Sequence, residues 1–507
     1  MNSSTRFWYK VLVSLKNLKF TLVVKKKYTW VSPFFLILLC GCHRGSFQKE
    51  QEQAQLLAKK IIGEDIAYGK EGDTLFSPTL PQELSRDEAI RIALLNNKEL
   101  RASLYELGIA KTALADAVLF QNPLISVTTS SSLNNEGIAA VNYFDVQTQV
   151  LSIPDLIQIP LRRRMYSTQL EIAVYSFVNK MIEIIAQTRI AYDKVLVHRA
   201  LIENIDDSLH HIGEKNSAPS SAKHPEHRVI HKQHVSSLAK ITYEISKLTY
   251  MKELVTALVE LRVLLGVEPE CFSSVKLSSS LTEPMIPLPS LSDLLAWAEN
   301  SHVDILIAHK KIQYALESVA YEKSKLFERT AIGSNYYKDL DVNQTGAGIY
   351  FVGSVPLFHQ NQPRIDQAEY IAERSRWELN DKLNKIKASI SLAYEKIILQ
   401  KRIVDTYEKE LLMVKQESID HMQKFKKRIK NGDLFMKKKR LECNEIRAKS
   451  LEARYHLSEL YTNLEKVCSK RLFFSQSSTI KRLKGELNDV PCEEKSSSLT
   501  APHVVLS

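Results

Sequence analysis

Residues 141–152 read VNYFDVQTQVLS, and this stretch decides the fold. Apolar and polar side chains alternate along it, with Phe144, Val146 and Val150 on one side and Tyr143, Asp145, Gln147 and Gln149 on the other. Alternation over eight or more residues predicts a β-strand with one apolar and one polar face. Two kinds of structure show that pattern: a soluble hairpin half buried against helices, and a membrane barrel with lipid outside and water inside. This stretch by itself leaves both interpretations open.

Three further stretches are typical of strands, and together they limit how a barrel could form. They read LISVTTSSS at residues 124–132, AIGSNYYK at 331–338 and GIYFVGSV at 348–355, where Ile349, Phe351 and Val355 share a face. Four strands cannot close a membrane barrel, because an open edge in lipid leaves backbone groups unsatisfied at several kcal/mol each. Three chains with four strands each would close a twelve-stranded barrel around a water-filled bore. If the strands cross a membrane, the protein must therefore be an oligomer.

Each pair of strands is followed by a very long helical pattern. Residues 367–428 contain neither proline nor glycine and predict a helix of roughly 100 Å at ~1.5 Å per residue. A turn at residues 431–433 then leads into a returning helix over 434–468. The first pair of strands is followed by predicted helices over 166–209 and 235–266. Uncapped helices of this length predict a coiled coil or a helical tube.

The two halves of the chain repeat one pattern about 205 residues apart. Residues 84–90 (LSRDEAI) and 288–294 (LPSLSDL) each place a serine and acidic residues at the start of an apolar periodic run, which predicts a capped helix. Each copy continues through a helix, a hairpin and a long helical pair. We therefore divide the chain into a first repeat (residues 84–280), a second repeat (281–470) and a disordered polar tail (471–507).

The amino-terminal residues predict an export signal and a lipid anchor. Residues 31–39 read VSPFFLILL, follow three lysines and are too few to span a bilayer, which needs about 20 apolar residues. The adjoining Cys40-Gly41-Cys42 resembles the end of a bacterial lipobox, in which the last cysteine is acylated. We expect a signal peptide at residues 1–41, lipidation of Cys42 and a lipid-anchored segment at 42–83. The alternative is a signal anchor that is not cleaved.

Composition and missing motifs limit the classes of function. Lys and Arg outnumber Asp and Glu by 69 to 58, but seven of the basic residues precede the apolar run and would leave with the signal. The six cysteines form neither a zinc-finger spacing nor a disulfide framework. There is no Gly-rich phosphate loop, no Gly-x-Ser-x-Gly elbow and no His-Glu-x-x-His motif. We expect no enzyme, no cofactor and no nucleic-acid partner.

A histidine-rich segment interrupts the first long helical pair. Its members are His210, His211, His224, His227, His231 and His234. Imidazoles at this density could bind zinc, copper or nickel, although no tetrahedral ligand spacing is evident. A flexible polar loop is the alternative interpretation.

The turn at residues 431–433 marks the tip of the second long helical pair. Asp433 could contribute to a ring of carboxylates at a gate once several copies assemble, with Gly432 beside it. An ordinary surface turn explains the same two residues. Lysines and arginines flank the turn, and in an exported protein they indicate a solvated or partner-facing tip rather than a nucleic-acid site.

Residues 353–362 read GSVPLFHQNQ and lie where the second hairpin passes into its long helix. This segment resembles the strand-to-helix junction of the outer membrane efflux protein (TolC-like) family, nearest to the heavy-metal efflux branch of resistance-nodulation-division systems. The residues that carry the resemblance are Pro356, Leu357, Phe358, Asn361 and Gln362, and Pro363 stands where that branch usually has glycine. The resemblance extends from about residue 84 to residue 468 and includes LSRDEAIRIALLNNKEL at 84–100.

The resemblance implies a mainly α protein with a small β part. It implies a homotrimer with a twelve-stranded outer-membrane barrel, four strands per chain, that continues into a long periplasmic α-helical barrel built from two internal repeats. Such a channel passively exports heavy-metal ions or drugs from a Gram-negative cell, together with a periplasmic adaptor protein and an inner-membrane pump. One alternative is a type I secretion outer-membrane channel. The alternative from another class is a lipid-anchored periplasmic coiled-coil scaffold without a pore.

Overall fold

The computed structural model describes residues 48–62, 81–133, 139–213, 226–272, 276–277, 288–327, 330–354, 356–425 and 432–470. The expected signal peptide, Cys42, His224 and the tail at 471–507 lie outside these residues. No helix within the described ranges has an apolar segment long enough to cross a bilayer.

The described chain is mainly helical with a small β part, which confirms the expected fold class in that respect. Its first part consists of α1 (Gln48–Ile62), β1 (Glu83–Leu84), α2 (Arg86–Asn96), α3 (Lys98–Ala117), β2 (Leu124–Leu133), β3 (Ala139–Ser152), α4 (Ile153–Gly213) and α5 (Glu226–Leu265). Its second part consists of α6 (Pro269–Phe272), β4 (Lys276–Leu277), α7 (Leu291–Ser301), α8 (Val303–Ser324), a short 3-10 helix (Lys325–Phe327), β5 (Ala331–Asp339), β6 (Gln344–Val352), α9 (Gln362–Phe425) and α10 (Gly432–Cys468).

The two predicted helix starts are confirmed. Ser85 caps α2, with its hydroxyl accepting the backbone N–H of Glu88 and the Glu88 carboxylate accepting the N–H of Ser85 at 3.0 Å. Ser290 caps α7 by accepting the N–H of Asp293 at 3.2 Å. Each cap satisfies a backbone donor that a helix terminus otherwise leaves without a partner.

The four long strands form one antiparallel sheet in the order β2-β3-β5-β6. The predicted stretches agree with these strands to within a few residues at most boundaries. The last strand is displaced, because it begins at Gln344 and ends at Val352 rather than spanning 348–355, and Val355 lies outside the described residues. Strands β1 and β4 form a separate parallel pair that joins the start of α2 to the segment after α6.

Helix α4 lies at the centre of the helical part and packs against α2, α3, α5, α8 and α10. Its buried side chains include Phe177, Met181, Ile184 and Tyr192, and the Tyr192 hydroxyl donates to the backbone carbonyl of Leu84 at 2.8 Å. A helix that contacts neighbours on several sides must be apolar on several sides. This explains why residues 177–205 of α4 show no single apolar stripe.

The start of α4 corrects the sequence prediction. The helix begins at Ile153, directly after β3, and not at residue 166 as predicted. Pro154 lies in its first turn, where a missing N–H is harmless, but Pro160 lies inside the helix and removes one backbone hydrogen bond. The two prolines and three arginines of residues 153–164 therefore belong to the helix.

Buried ionic groups join α4 to its neighbours. The Asp193 carboxylate lies 2.7 Å from the Arg86 guanidinium of α2 and accepts the Ser458 hydroxyl of α10 at 2.7 Å. One turn earlier, Arg189 pairs with Glu465 of α10, and both side chains are buried. Buried charges are tolerated when they are paired, and a paired charge also restricts how adjacent helices align. The two clusters hold α2, α4 and α10 in one register.

His302 joins α7, α8 and the end of α10. Its Nδ1 accepts the backbone N–H of Asp304 at 3.0 Å, so its Nε2 carries the proton and donates to the carbonyl of Val467 at 2.7 Å. The side chain is buried, and burial lowers the pKa of His302 below its usual value, with Lys382 acting in the same direction. Asp304 and the bond to Val467 oppose that shift. The folded protein therefore holds this imidazole neutral.

We predict that the folded protein loses stability in mild acid through His302. Because the pKa is lower in the folded than in the unfolded chain, this contribution is complete above the unfolded value of about 6.5 and falls as pH drops below it. The His302→Asn variant keeps a capping side chain and should flatten the fall in thermal midpoint between about pH 7.5 and about pH 5.5. The measurement is circular dichroism of detergent-solubilised protein. His309→Asn, at an exposed position of α8, is the control, and equal flattening in both variants would contradict the assignment.

Candidate functional site

The register of the sheet separates its side chains into two faces. Val127, Val146, Tyr336 and Ala347 lie directly opposite one another across the four strands and so share one face. One residue further along, Thr128, Asp145, Tyr337 and Gly346 share the other face. The first face is apolar and the second is polar, as the alternation in residues 143–149 predicted. Beyond Gln149 the prediction is wrong, because a β-bulge shifts the register and Leu151, rather than Val150, lies opposite Ile332 of the apolar face.

The apolar face is exposed. Ile125 is 70% exposed and Ile349 is 85% exposed, and Val127, Phe351 and Ile332 on the same face are exposed as well. Burial of apolar surface stabilises a protein by about 25 cal/mol per Å², so an apolar face of this extent is normally covered. The strands contain 9 to 14 residues, whereas crossing a bilayer takes about 9–11. The face therefore has the chemistry and the length of a surface that contacts lipid.

The polar face carries hydroxyl, amide, carboxylate and tyrosine groups. No lysine or arginine lies on this face among the residues of the four strands whose side chains the structure describes. Two tyrosine rings lie across glycines of the adjacent strand: a Cβ on Gly346 would meet the Tyr337 ring at 2.4 Å, and one on Gly333 would meet the Tyr350 ring at 2.6 Å. These glycines let the rings lie flat against the sheet.

Strands β2 and β6 are the two edges of this sheet, and neither has a second partner strand within the described residues. An unpaired edge exposes a row of N–H and C=O groups. Because each adjacent pair is antiparallel, β2 and β6 run in opposite directions. Thus β2 of one chain has the direction needed to pair antiparallel with β6 of another.

The long helices form a layer that, like the sheet, ends in two borders. Helix α5 packs on α4, α4 on α10, and α10 on α9, so that α5 and α9 are the borders. Exposed apolar residues follow α5 at helical spacing: Leu238, Ile241, Ile245, Leu248, Val255, Val259 and Val263. Exposed apolar residues also occur on α9: Leu392, Leu399, Ile403, Leu412 and Met413. Both borders therefore present apolar surface where the layer ends.

The junction residues lie between β6 and α9. Asn361 is buried, adopts a φ of 63°, and its amide donates to the backbone carbonyl of Glu322 at 2.8 Å and to the Glu322 carboxylate at 3.0 Å. The backbone carbonyl of Asn361 accepts the N–H groups of Arg364 and Ile365, and these hydrogen bonds begin α9. The other junction residues are Pro356, Leu357, Phe358 and Gln362, of which Phe358 is 99% exposed. The segment thus combines a buried polar anchor with an exposed aromatic side chain.

A matching anchor in the first half was not recognised from the sequence. Asp155 is fully buried in the first turn of α4, where it accepts the backbone N–H of Gln121 at 2.8 Å and a guanidinium N–H of Arg162 at 3.0 Å. It ties the chain just before β2 to the helix that follows β3. The spacing of Asp155 and Arg162, two turns apart on one helix, was the available signal.

The predicted tip and histidine residues are placed as follows. Gly432 and Asp433 begin α10, and α9 ends at Phe425. His210 and His211 end α4 with their ring centroids 5.9 Å apart, whereas His227, His231 and His234 fall in the first turns of α5. Within the described residues, no three His, Cys, Asp or Glu side chains are arranged to hold a metal ion. The metal and gate assignments remain predictions.

Comparison with known proteins identifies the fold. No family model matches the chain, and no curated protein matches it. Among solved structures, the open-state MtrE outer membrane channel of Neisseria gonorrhoeae matches with a TM-score of 0.63 and 14% identity, covering 76% of this chain and 89% of that one. The CmeC outer membrane channel of Campylobacter jejuni matches with a TM-score of 0.59 and 12% identity, covering 79% and 89%. The outer membrane protein VceC of Vibrio cholerae matches with a TM-score of 0.55 and 14% identity, covering 76% and 96%. The chain therefore has the fold of these outer-membrane proteins.

We predict that Asn361 anchors the junction through both its backbone conformation and its amide. Asn361→Ala should lower the free energy of unfolding by about 2–3 kcal/mol, since alanine tolerates left-handed backbone less well than asparagine and the change removes two hydrogen bonds. Asn361→Gly keeps the backbone and should lose about 1 kcal/mol. Asn343, in the β5–β6 turn at φ 53°, is exposed and serves as the matched control. Denaturant titration should show Asn343→Gly to be nearly neutral, and similar losses for the two glycine variants would contradict the role of the amide.

Proposed function

We propose that this chain is one subunit of a homotrimeric outer-membrane efflux channel that performs no bond chemistry. The observation that carries the proposal is the four-stranded sheet, with an exposed apolar face, a polar face and two edge strands of opposite direction that have no second partner strand in the described part of the chain. Only closed barrels satisfy all strand backbone groups in lipid. Three chains with four strands each give twelve strands, which close without an edge when each β2 pairs with a neighbouring β6.

The helical layer supports the same assembly. In a closed trimer the α5 border of one subunit would meet the α9 border of the next, so that the apolar residues on both become buried. The polar faces of the sheets would line the bore, and the helices would extend it as a tube. Helix α9 has 64 residues, which at ~1.5 Å per residue reaches roughly 96 Å. We also propose that residues 84–280 and 281–470 are two copies of one structural unit, since each contains a helical pair, a hairpin and a long helical pair.

The proposed cargo is a small solute, either heavy-metal ions or drugs, delivered by an inner-membrane pump through a periplasmic adaptor. The fold likeness to outer-membrane channels and the resemblance of residues 353–362 to heavy-metal efflux members support this proposal. A photoreactive residue at Gly432, at the start of α10, would test the partner: adaptor should be recovered in the crosslinked product from whole cells. A type I secretion pump recovered there instead would change the cargo class to proteins.

We predict that β2 and β6 pair between chains. Val127→Cys on β2, combined in turn with Thr345→Cys, Ala347→Cys and Ile349→Cys on the same face of β6, should give covalent dimers and trimers on oxidation in at least one register. Native cysteines other than Cys42 are replaced by serine. The matched control, Thr148→Cys with Ser334→Cys, joins residues that face each other within one chain and should leave the protein monomeric on a denaturing gel. Failure of every β2–β6 pairing in folded protein would reject the closed barrel.

Conductance separates a channel from a scaffold. Purified trimers reconstituted in a planar bilayer should give stepwise conductance, because the bore is polar and water-filled. Crosslinked trimers that insert and stay silent would favour the lipid-anchored coiled-coil scaffold without a pore.

We further propose that Cys42 is acylated and anchors the mature chain to the outer membrane. Cells fed labelled palmitate should label the wild-type protein, and Cys42→Ser should abolish the label and raise the apparent mass, because the signal peptide is retained. Cys40→Ser is the matched control and should keep the label. If the label persists in Cys42→Ser, the lipidation site lies elsewhere. If the wild-type protein carries no label, the uncleaved signal anchor replaces the lipid anchor as the interpretation.

A further inference from the structure

The polar face carries a cluster of two tyrosines and two aspartates near the hairpin ends of the sheet. Tyr143 lies opposite Asp339 in the register, and Asp145 lies opposite Tyr337. The tyrosines thus occupy one diagonal, and their rings stack with centroids 6.1 Å apart and planes 22° from parallel. The Tyr337 ring is held flat by Gly346 of the adjacent strand, where a Cβ would collide with it. The cluster is therefore ordered by the sheet itself.

Asp145 is the unusual member of this cluster. It is 5% exposed, its Oδ2 accepts the Gln147 side-chain amide at 2.7 Å, and its Oδ1 has no hydrogen-bond partner. A buried polar atom without a partner costs about 1–3 kcal/mol, and more when the group is charged. Asp339 does not supply the missing hydrogen-bond partner. Its carboxylate instead accepts the N–H groups of Asp341 at 3.0 Å and Val342 at 3.3 Å in the turn.

No basic side chain of this sheet compensates the two carboxylates. The polar face of the four strands carries no lysine or arginine among its described side chains, and Lys338 lies on the opposite face, across from Phe144 and Thr345. The cluster thus combines a buried carboxylate oxygen that has no hydrogen-bond partner with two aromatic rings, and the described side chains of this face supply no cation. Aromatic faces and carboxylates together favour organic ammonium groups.

We infer that Tyr143, Asp145 and Tyr337 form a binding subsite for organic ammonium cations on the channel wall. This inference rests on the proposed function, because the polar face becomes the channel wall only when the barrel closes. Three subunits would place three such subsites around the bore near its outer mouth. A permeating solute must leave as well as enter, so weak binding is expected.

Block of conductance tests the subsite in the working channel. Benzyltrimethylammonium, added on the side of the β-hairpin ends, should block potassium current through the wild-type trimer. Asp145→Asn preserves the shape of the side chain and should raise the blocking concentration about tenfold, and Tyr143→Leu should raise it several-fold through loss of one ring face. Asp341→Asn is the matched control, because this exposed carboxylate lies in the β5–β6 turn outside the strands. Equal loss of block in Asp145→Asn and Asp341→Asn would show a general surface-charge effect and overturn the subsite.

Saturation-transfer NMR tests binding without requiring conductance. The methyl protons of benzyltrimethylammonium should receive saturation from detergent-solubilised wild-type protein, and the signal should fall several-fold in Asp145→Asn but not in Asp341→Asn. Absence of this difference overturns the subsite, because it means that Asp145 does not contribute to binding. A silent bilayer together with a positive NMR result would reject the channel while retaining the cation site. Conductance without selective block would support the channel and reject the cation site.

Discussion

The unpaired edges of the four-stranded sheet are the constraint on which the rest of the structure depends. Strands β2 and β6 each present backbone donors and acceptors along one side, and the same sheet exposes an apolar face to its surroundings. Lipid would solvate the apolar face but would leave the backbone groups of the edges without hydrogen-bond partners. Water would satisfy the backbone groups of the edges but would leave the apolar face unfavourably exposed. The proposed assembly satisfies both requirements, because further copies of the same chain would complete the sheet. The helical layer also leaves apolar surface exposed, because its border helices α5 and α9 carry exposed apolar residues where the layer ends.

Helix α4 explains how one chain supports both layers. It continues from β3 without a loop, carries the buried core of the first half and contacts helices from both halves. Asp193 and Arg189 fix it to α2 and α10 through buried charges, which are costly to misplace and so restrict sliding along the helix axis. At its start, Asp155 ties it to the segment that enters β2. The sheet is therefore joined rigidly to the helices in the first half, whereas the second half uses a loop held by Asn361.

The polar face of the sheet is shaped by its glycines and tyrosines. Glycines at 333 and 346 accept tyrosine rings from neighbouring strands, which smooths the surface and orders the aromatic groups. The acidic groups on that face have no basic counterparts among the described strand side chains. In a soluble sandwich the apolar face of each sheet would be packed against a second sheet and its polar face would be turned to solvent, whereas the apolar face of this sheet is exposed.

The sequence by itself determined the elements that depend on local periodicity. Strand alternation in residues 141–152, the helical spacing of residues 367–425 and the caps at Ser85 and Ser290 each follow from contacts within a few residues, and the structure contains them at those places. The tertiary structure decided what depends on distant partners. Periodicity placed the start of the first long helix at residue 166, yet residues 153–165 are also helix, where Asp155 contacts Gln121 and Arg162. Asp145 was visible as one polar residue in an alternating strand, but its burial, its unpartnered oxygen and its position opposite Tyr337, nearly two hundred positions away, appear only in the folded sheet. Sequence periodicity predicts on which face of a strand or helix a side chain lies. Which other side chains contact it on that face is decided only by the tertiary structure.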